Sequence, residues 1–181
     1  MSDIPVIITR RRTSRITIRI TKDGQVRVSA PRMVPRSTIE KFINDHRDWI
    51  EKHLDKTAQR QQKREEFYSR LDISTPKLRR EAVGRLDAIV KPLVDNYSGQ
   101  MGVTPAGISY RATKSRWGSC NAKTRRINFS LYLLLLPDWC IEHIVVHEMA
   151  HLLEPNHGPR FYAIMDKYFP RWKEARKATA I

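Results

Sequence analysis

Three of the chain's six histidines fall between Val145 and His157, in "VVHEMAHLLEPNH". On a helix, His147 and His151 lie on one face, about one turn apart. Both imidazoles can then reach a single ion at roughly 2.0–2.1 Å. Glu148 follows the first histidine, where a carboxylate beside an ion can take a proton from water. His157 offers the third donor, provided the helix stops before it, and Pro155-Asn156 supplies the stop. Glu154 is a rival ligand, but it follows His151 by three residues and is expected to be still helical, so an outer role suits it better. His143, one turn before His147, could support the site, stabilise developing negative charge or simply pack. The motif sits in "IVVHEMAHLL", small and apolar throughout. Two buried histidines beside a buried glutamate need a reason, because unpaired buried polar groups are costly.

Several elements must carry this segment. Pro137-Asp138 predicts a helix start, with the helix running through Leu153. "GPRFYAIMDKYFPRWKEARK" predicts a last amphipathic helix interrupted at Pro170. Upstream, "ISYRAT" and "RINFSLYLL" read as strands flanking the turn-rich "KSRWGSCNAKTRR", a β-hairpin with a long basic loop. Thr75-Pro76 opens a helix to about Tyr97, with an apolar stripe through Leu78, Leu86, Val90 and Val94. At the start of the chain, Ile16, Ile18 and Ile20 alternate with polar residues, Asp23-Gly24 turns, and Val26 and Val28 alternate again, a strong hairpin signal. Ser37 with Glu40 forms a capping-box pattern ahead of Ile39, Phe42, Ile43, Trp49, Ile50 and Leu54, read as one helix. His46 and His53 in that helix read as surface or packing residues. "DKTAQRQQKREEFYSRLD" follows as a solvated helix or linker. The class is α+β. The boundaries are an N-terminal module over 1–70 and a hydrolase domain over 71–181, or one continuous domain.

Charge is distributed unevenly. Residues 1–70 hold 17 Lys/Arg against 9 Asp/Glu, residues 71–136 hold 11 against 4, and residues 137–181 hold 6 of each. No carboxylate occurs from Asn96 to Pro137, while Arg111, Lys114, Arg116, Lys123, Arg125 and Arg126 all do. Such a field attracts polyanions, nucleotides and nucleic acid included, or merely keeps the protein dissolved. The longest apolar run, "LYLLLL", is far short of the roughly 20 residues of a membrane span. "MSDIPVIITRRRTSR" lacks the pattern of a secretory signal, so a cytoplasmic location is expected. Cys120 and Cys140 have no CxxC spacing and read as free thiols rather than ligands. The oligomeric state stays open.

Taken together, "RWGSC", "INFSLYLLLLP", "VVHEMAH" and "NHGPRF" resemble the YgjP-like metallopeptidase-domain family, itself similar to the SprT-like and WLM zinc proteases. "ITIRITKDGQVRVSAP" and "FINDHRDWIEKH" also look like that family's N-terminal part, so the resemblance covers about residues 12 to 175. It implies a zincin-like minimal metallopeptidase domain, a small antiparallel sheet plus the HExxH helix. It implies His147, His151 and His157 as ligands of one Zn2+ per chain, with another divalent metal left open, and Glu148 as catalytic acid and base. Phe161 matches the family's aromatic in "NHxxxF" and is expected behind the site; Gly158 stands where many relatives have Ser. The loop Arg116-Trp117-Gly118-Ser119 is expected to border the cleft, its glycine permitting close backbone approach.

A zinc metallopeptidase acting on peptide or protein is the leading expectation. A metal-dependent nucleoside triphosphate phosphohydrolase is the first alternative, since the same activated water could attack a phosphoanhydride and fold does not fix substrate. A nucleic-acid-associated protein with a metal site is the second, although such a site has no need of Glu148. Donors for developing oxygen charge are Arg116, Ser119, Tyr132, His143, Arg160 and Tyr162, unranked by sequence.

Overall fold

The structure, a computed structural model, describes residues 4–180. The chain divides into two compact units, 1–66 and 67–181.

The first unit holds strands β1 (Val6–Arg11), β2 (Thr17–Ile20) and β3 (Val26–Pro31), then helix α1 (Arg36–Asp45) and the start of α2 (Arg47–Ser69). The expected hairpin is present: β2 pairs antiparallel with β3, Ile18 opposite Val28 and Ile20 opposite Val26. Gly24, at φ 78, makes the turn in the left-handed region that glycine enters at no steric cost. β1, which the sequence reading did not identify, pairs parallel with β3 on its other side. Its apolar run "VII" is short, and Ile7 and Ile8 stay exposed, so no alternation marks it. Val28, Ala30 and Ile39 form the small core. The expected single helix from Ser37 is corrected to two, with a break at His46. The capping box does not form: Pro35 is the N-cap, without a side-chain bond, and Glu40 pairs with Arg36 at 2.8 Å instead.

The second unit holds α3 (Pro76–Met101), β4 (Gly107–Arg111), β5 (Gly118–Asn121), β6 (Arg126–Ser130), a 3-10 turn (Leu131–Leu135), α4 (Asp138–Ala150), α5 (Pro159–Tyr168) and α6 (Trp172–Ala178). Thr75 caps α3 by accepting from the Leu78 amide, Pro76 occupies the first turn, and Gly102, at φ 66, ends the helix. Ala82, Leu86, Val90, Val94, Tyr97 and Met101 bury its stripe at steps of three and four. The sheet runs β4-β6-β5. It corrects two expectations. First, β4 and β6 are not a hairpin, because they pair parallel. Secondly, the antiparallel partner of β6 is β5, lying inside the supposed loop. Gly, Ser, Cys and Asn are poor strand formers, so "GSCN" gave no signal. The sheet is therefore mixed rather than antiparallel. "LYLL", expected to extend the strand, is a 3-10 turn capped by the Ser130 hydroxyl, which accepts from the Tyr132 amide. Among the described residues no helix is long and apolar enough to cross a membrane.

Candidate metal centre and active site

α4 is apolar on nearly every side, so it is buried on nearly every side: Cys140, Ile141, Ile144, Val145, Val146, Met149 and Ala150 are all in the core. α3 packs on it, and the Tyr97 hydroxyl donates to Glu142 at 2.6 Å, tying the two helices. The helix gives way at His151, its C-cap. Leu153 and Glu154 fold back onto the Ala150 carbonyl, and Gly158 caps the start of α5. This reversal brings His157 to the face that carries His147 and His151.

The three histidines offer nitrogens that all lie within 4.8 Å of one another. His147 Nε2 and His157 Nε2 are 3.1 Å apart. Two nitrogens bound tetrahedrally at 2.0–2.1 Å would be about 3.3 Å apart, so the spacing suits a shared ion. His151 Nδ1 bonds the Glu154 carbonyl at 3.2 Å, which orients its ring and leaves Nε2 for a ligand role. Glu154 thus contributes through its backbone. Phe161, buried in α5, lies behind all three rings, with centroids 5.0, 4.7 and 4.6 Å from His147, His151 and His157. Burial, with the neighbouring histidines and Arg176, holds His147 down to about 3. Burial also lowers His151. These rings stay neutral, the form that donates to a metal. Three convergent imidazoles fit a divalent ion of the zinc class. Cys120 and Cys140 are free and outside the cluster.

Glu148 is 5% exposed. Burial pushes its carboxyl up to about 8, against the pull of Arg116 and a bond from the Cys120 amide. The neighbouring strand β5 makes room for it with Gly118: a Cβ there would stand 2.6 Å from Glu148 Oε1 and 2.7 Å from its Cγ. No other residue fits at that position without moving the carboxylate.

A cavity of about 340 Å³ opens over the site. Among the residues expected to border it, Arg116, His143 and Tyr162 line it, together with Trp117 and Gly118. Ser119, Tyr132 and Arg160 do not. Ser119 follows Gly118 on the strand and so faces away from Glu148, in a polar row with Asn128 and Ser109. Tyr132 packs edge-on against Tyr68, 4.7 Å between centroids. Arg160 is exposed on the first turn of α5. His143 is buried, its Nδ1 has no hydrogen-bond partner, and burial holds it down to about 4. Of the six cations between Asn96 and Pro137, only Arg116 reaches the cavity. The cavity also takes Trp172, Arg176 and Thr179 from the last helix and its end. The sequence reading missed these, because Arg176 in "KEARK" carries no local signal that separates it from surface charge.

Comparison with curated proteins gave no match. Among solved structures, the chain is similar to the metallopeptidase zymogen abylysin of Pyrococcus abyssi, at 25% identity and TM-score 0.45, over 49% of this chain and 89% of that one. It is also similar to the metallopeptidase zymogen jannalysin of Methanocaldococcus jannaschii, at 20% identity and TM-score 0.44, over 49% of this chain and 90% of that one. The family model "YgjP-like, metallopeptidase domain" matches residues 14–75 and 69–180. With that match spanning nearly its whole length, the chain belongs to the YgjP-like metallopeptidase family and is a metal-dependent hydrolase.

Proposed function

We propose that this protein is a zinc-dependent peptidase whose chemistry resides in residues 71–181, with His147, His151 and His157 holding one Zn2+ and Glu148 moving the proton. The observation that carries this reading is the convergence of three imidazole nitrogens within 4.8 Å beside a buried carboxylate. When bound, zinc supplies Lewis acidity that makes water nucleophilic near neutral pH and polarises a carbonyl. Glu148 accepts the proton of the attacking water and later delivers it to the amine that leaves. The water oxygen adds to the carbonyl carbon first, placing charge on the carbonyl oxygen; the C–N bond then breaks as the carbonyl re-forms, and no other reactant is needed. Gly118 and the Cys120 amide fix that carboxyl in place. Arg116, His143 and Tyr162 are the donors available to oxygen charge developing in the cavity.

The test is a hydrolysis screen on metal-replete protein, with Glu148→Gln as control. Denatured casein and a peptide library are assayed beside nucleoside triphosphates with phosphate detection. Peptide cleavage that disappears in the variant is the expected result. Nucleotide turnover that disappears in the variant, without peptide cleavage, would overturn the peptidase reading in favour of a phosphohydrolase. Activity that survives Glu148→Gln would overturn the assigned proton path.

A further inference from the structure

Resting on the peptidase reading, we propose that Arg116 and Arg176 form a carboxylate-recognition subsite that selects substrates with an acidic group beside the scissile bond. Two guanidinium-bearing residues from distant parts of the chain line one cavity, one from the segment before β5 and one from α6. Glu148 is the only carboxylate-bearing residue among the residues lining that cavity. Three arginines elsewhere hold ion pairs, Arg36, Arg47 and Arg171 with Glu40, Glu51 and Glu174. Arg116 and Arg176 take part in none of the ion pairs of the described residues.

The two segments are pinned together. Trp117, next to Arg116, donates from Nε1 to the carbonyl of Thr179, three residues past Arg176, at 3.0 Å. The wall beside them is aromatic, with Tyr162 and Trp172 stacked at 4.9 Å and 24°. The cavity is therefore bordered by two positive charges that a bound anion would offset, next to an aromatic surface. Planar guanidinium groups match a carboxylate through paired hydrogen bonds. In a substrate peptide that carboxylate comes either from an Asp or Glu side chain or from a free C-terminus.

The experiment uses zinc-replete full-length protein and four versions of one peptide: acidic or neutral beside the cleaved bond, each with a free or amidated C-terminus. The readout is the ratio of kcat/KM between carboxylate-bearing and neutral peptides. A ratio is needed because Arg116 also acts on Glu148 and changes all rates together. The wild type should prefer a carboxylate by on the order of ten- to a hundredfold. The preference should fall to about one in Arg116→Gln/Arg176→Gln and partly return with lysines. Whichever version carries the preference identifies the source of the carboxylate. No preference, or a preference that survives the double substitution, would overturn the subsite. In parallel, metal-free protein is titrated with N-acetylglutamate while the arginine Nε–H resonances are followed by NMR. Shifts in the wild type that vanish in the double variant support the subsite even if no peptide is cleaved, a result that would count against the peptidase reading alone. Absence of shifts together with absence of cleavage would overturn both. Both arginines are exposed, so the double variant should keep its fold, checked by thermal melting.

Discussion

The two units contain the same sheet twice. In each, the third strand lies between the other two, parallel to the first and antiparallel to the second: β1-β3-β2 and β4-β6-β5. Each unit also carries histidines on its helices. In the first, His46 is exposed and His53 half-buried, and each turns Nδ1 onto a carbonyl of its own helix, Phe42 and Trp49, at 2.8 Å. In the second, the rings at 147, 151 and 157 turn toward one another. Strand order and histidine content are thus compatible with having no site at all. What separates the units is how the helix that carries the first rings is packed. α4 is enclosed on nearly every side, with His143 and Glu148 buried and His147 half-buried. α1 and α2 present their polar groups to water.

The sharpest test of this contrast is metal binding. His147→Ala, His151→Ala or His157→Ala should each weaken zinc affinity by more than about a hundredfold, the scale at which even an outer support of a ligand is felt. His46→Ala and His53→Ala should leave one ion per chain. Competition titration with a chromogenic chelator measures both sets. Loss of metal in His46→Ala or His53→Ala would break the contrast.

The next test concerns glycines. Gly118→Ala places a methyl 2.6 Å from a carboxylate oxygen that cannot retreat into solvent. Activity should fall about a hundredfold, as for a misplaced catalytic group, with metal content intact. Gly99, exposed on α3 with nothing within 4 Å of a Cβ, gives the opposite outcome. Gly99→Ala should leave activity alone and stabilise by about 0.5–1 kcal/mol, because alanine loses less backbone entropy in a helix. Thermal melts and peptide turnover on the two variants decide the matter.

How much of this could be read from the sequence follows from the range of each interaction. The hairpin around Asp23-Gly24, the Thr75-Pro76 helix start and the helix opened by Pro137-Asp138 are encoded within a dozen residues, and local pattern finds them. β5 is not, because "GSCN" is a strand only through its pairing with β6, and Gly118 is a glycine there only because Glu148 approaches from another element. The parallel pairing of β4 and β6 is likewise invisible to a reading that joins neighbouring strands as hairpins. The candidate ligands were legible because a shared ion needs fixed spacing along one helix. Arg176 was not, since it reaches the cavity through the packing of α6. Ser119 failed for the converse reason: it lies one residue from the right position, and in a strand one residue reverses the face.

The smallest effect separates a helix start that is capped from one that only carries the pattern. Thr75 accepts from the Leu78 amide at 3.2 Å, so Thr75→Ala should cost about 1 kcal/mol. Ser37, three residues before Glu40, has the sequence of a capping box, yet the backbone begins its helix one residue earlier, at Arg36, after Pro35. Ser37 is then an ordinary first-turn residue that satisfies no amide as a cap, and Ser37→Ala should change stability by no more than a few tenths of a kcal/mol, roughly the propensity difference alone. Urea denaturation of the two variants gives the comparison directly. A Ser37→Ala loss as large as that of Thr75→Ala would mean that the capping box forms in solution, and that the first unit is built on the sequence signal after all.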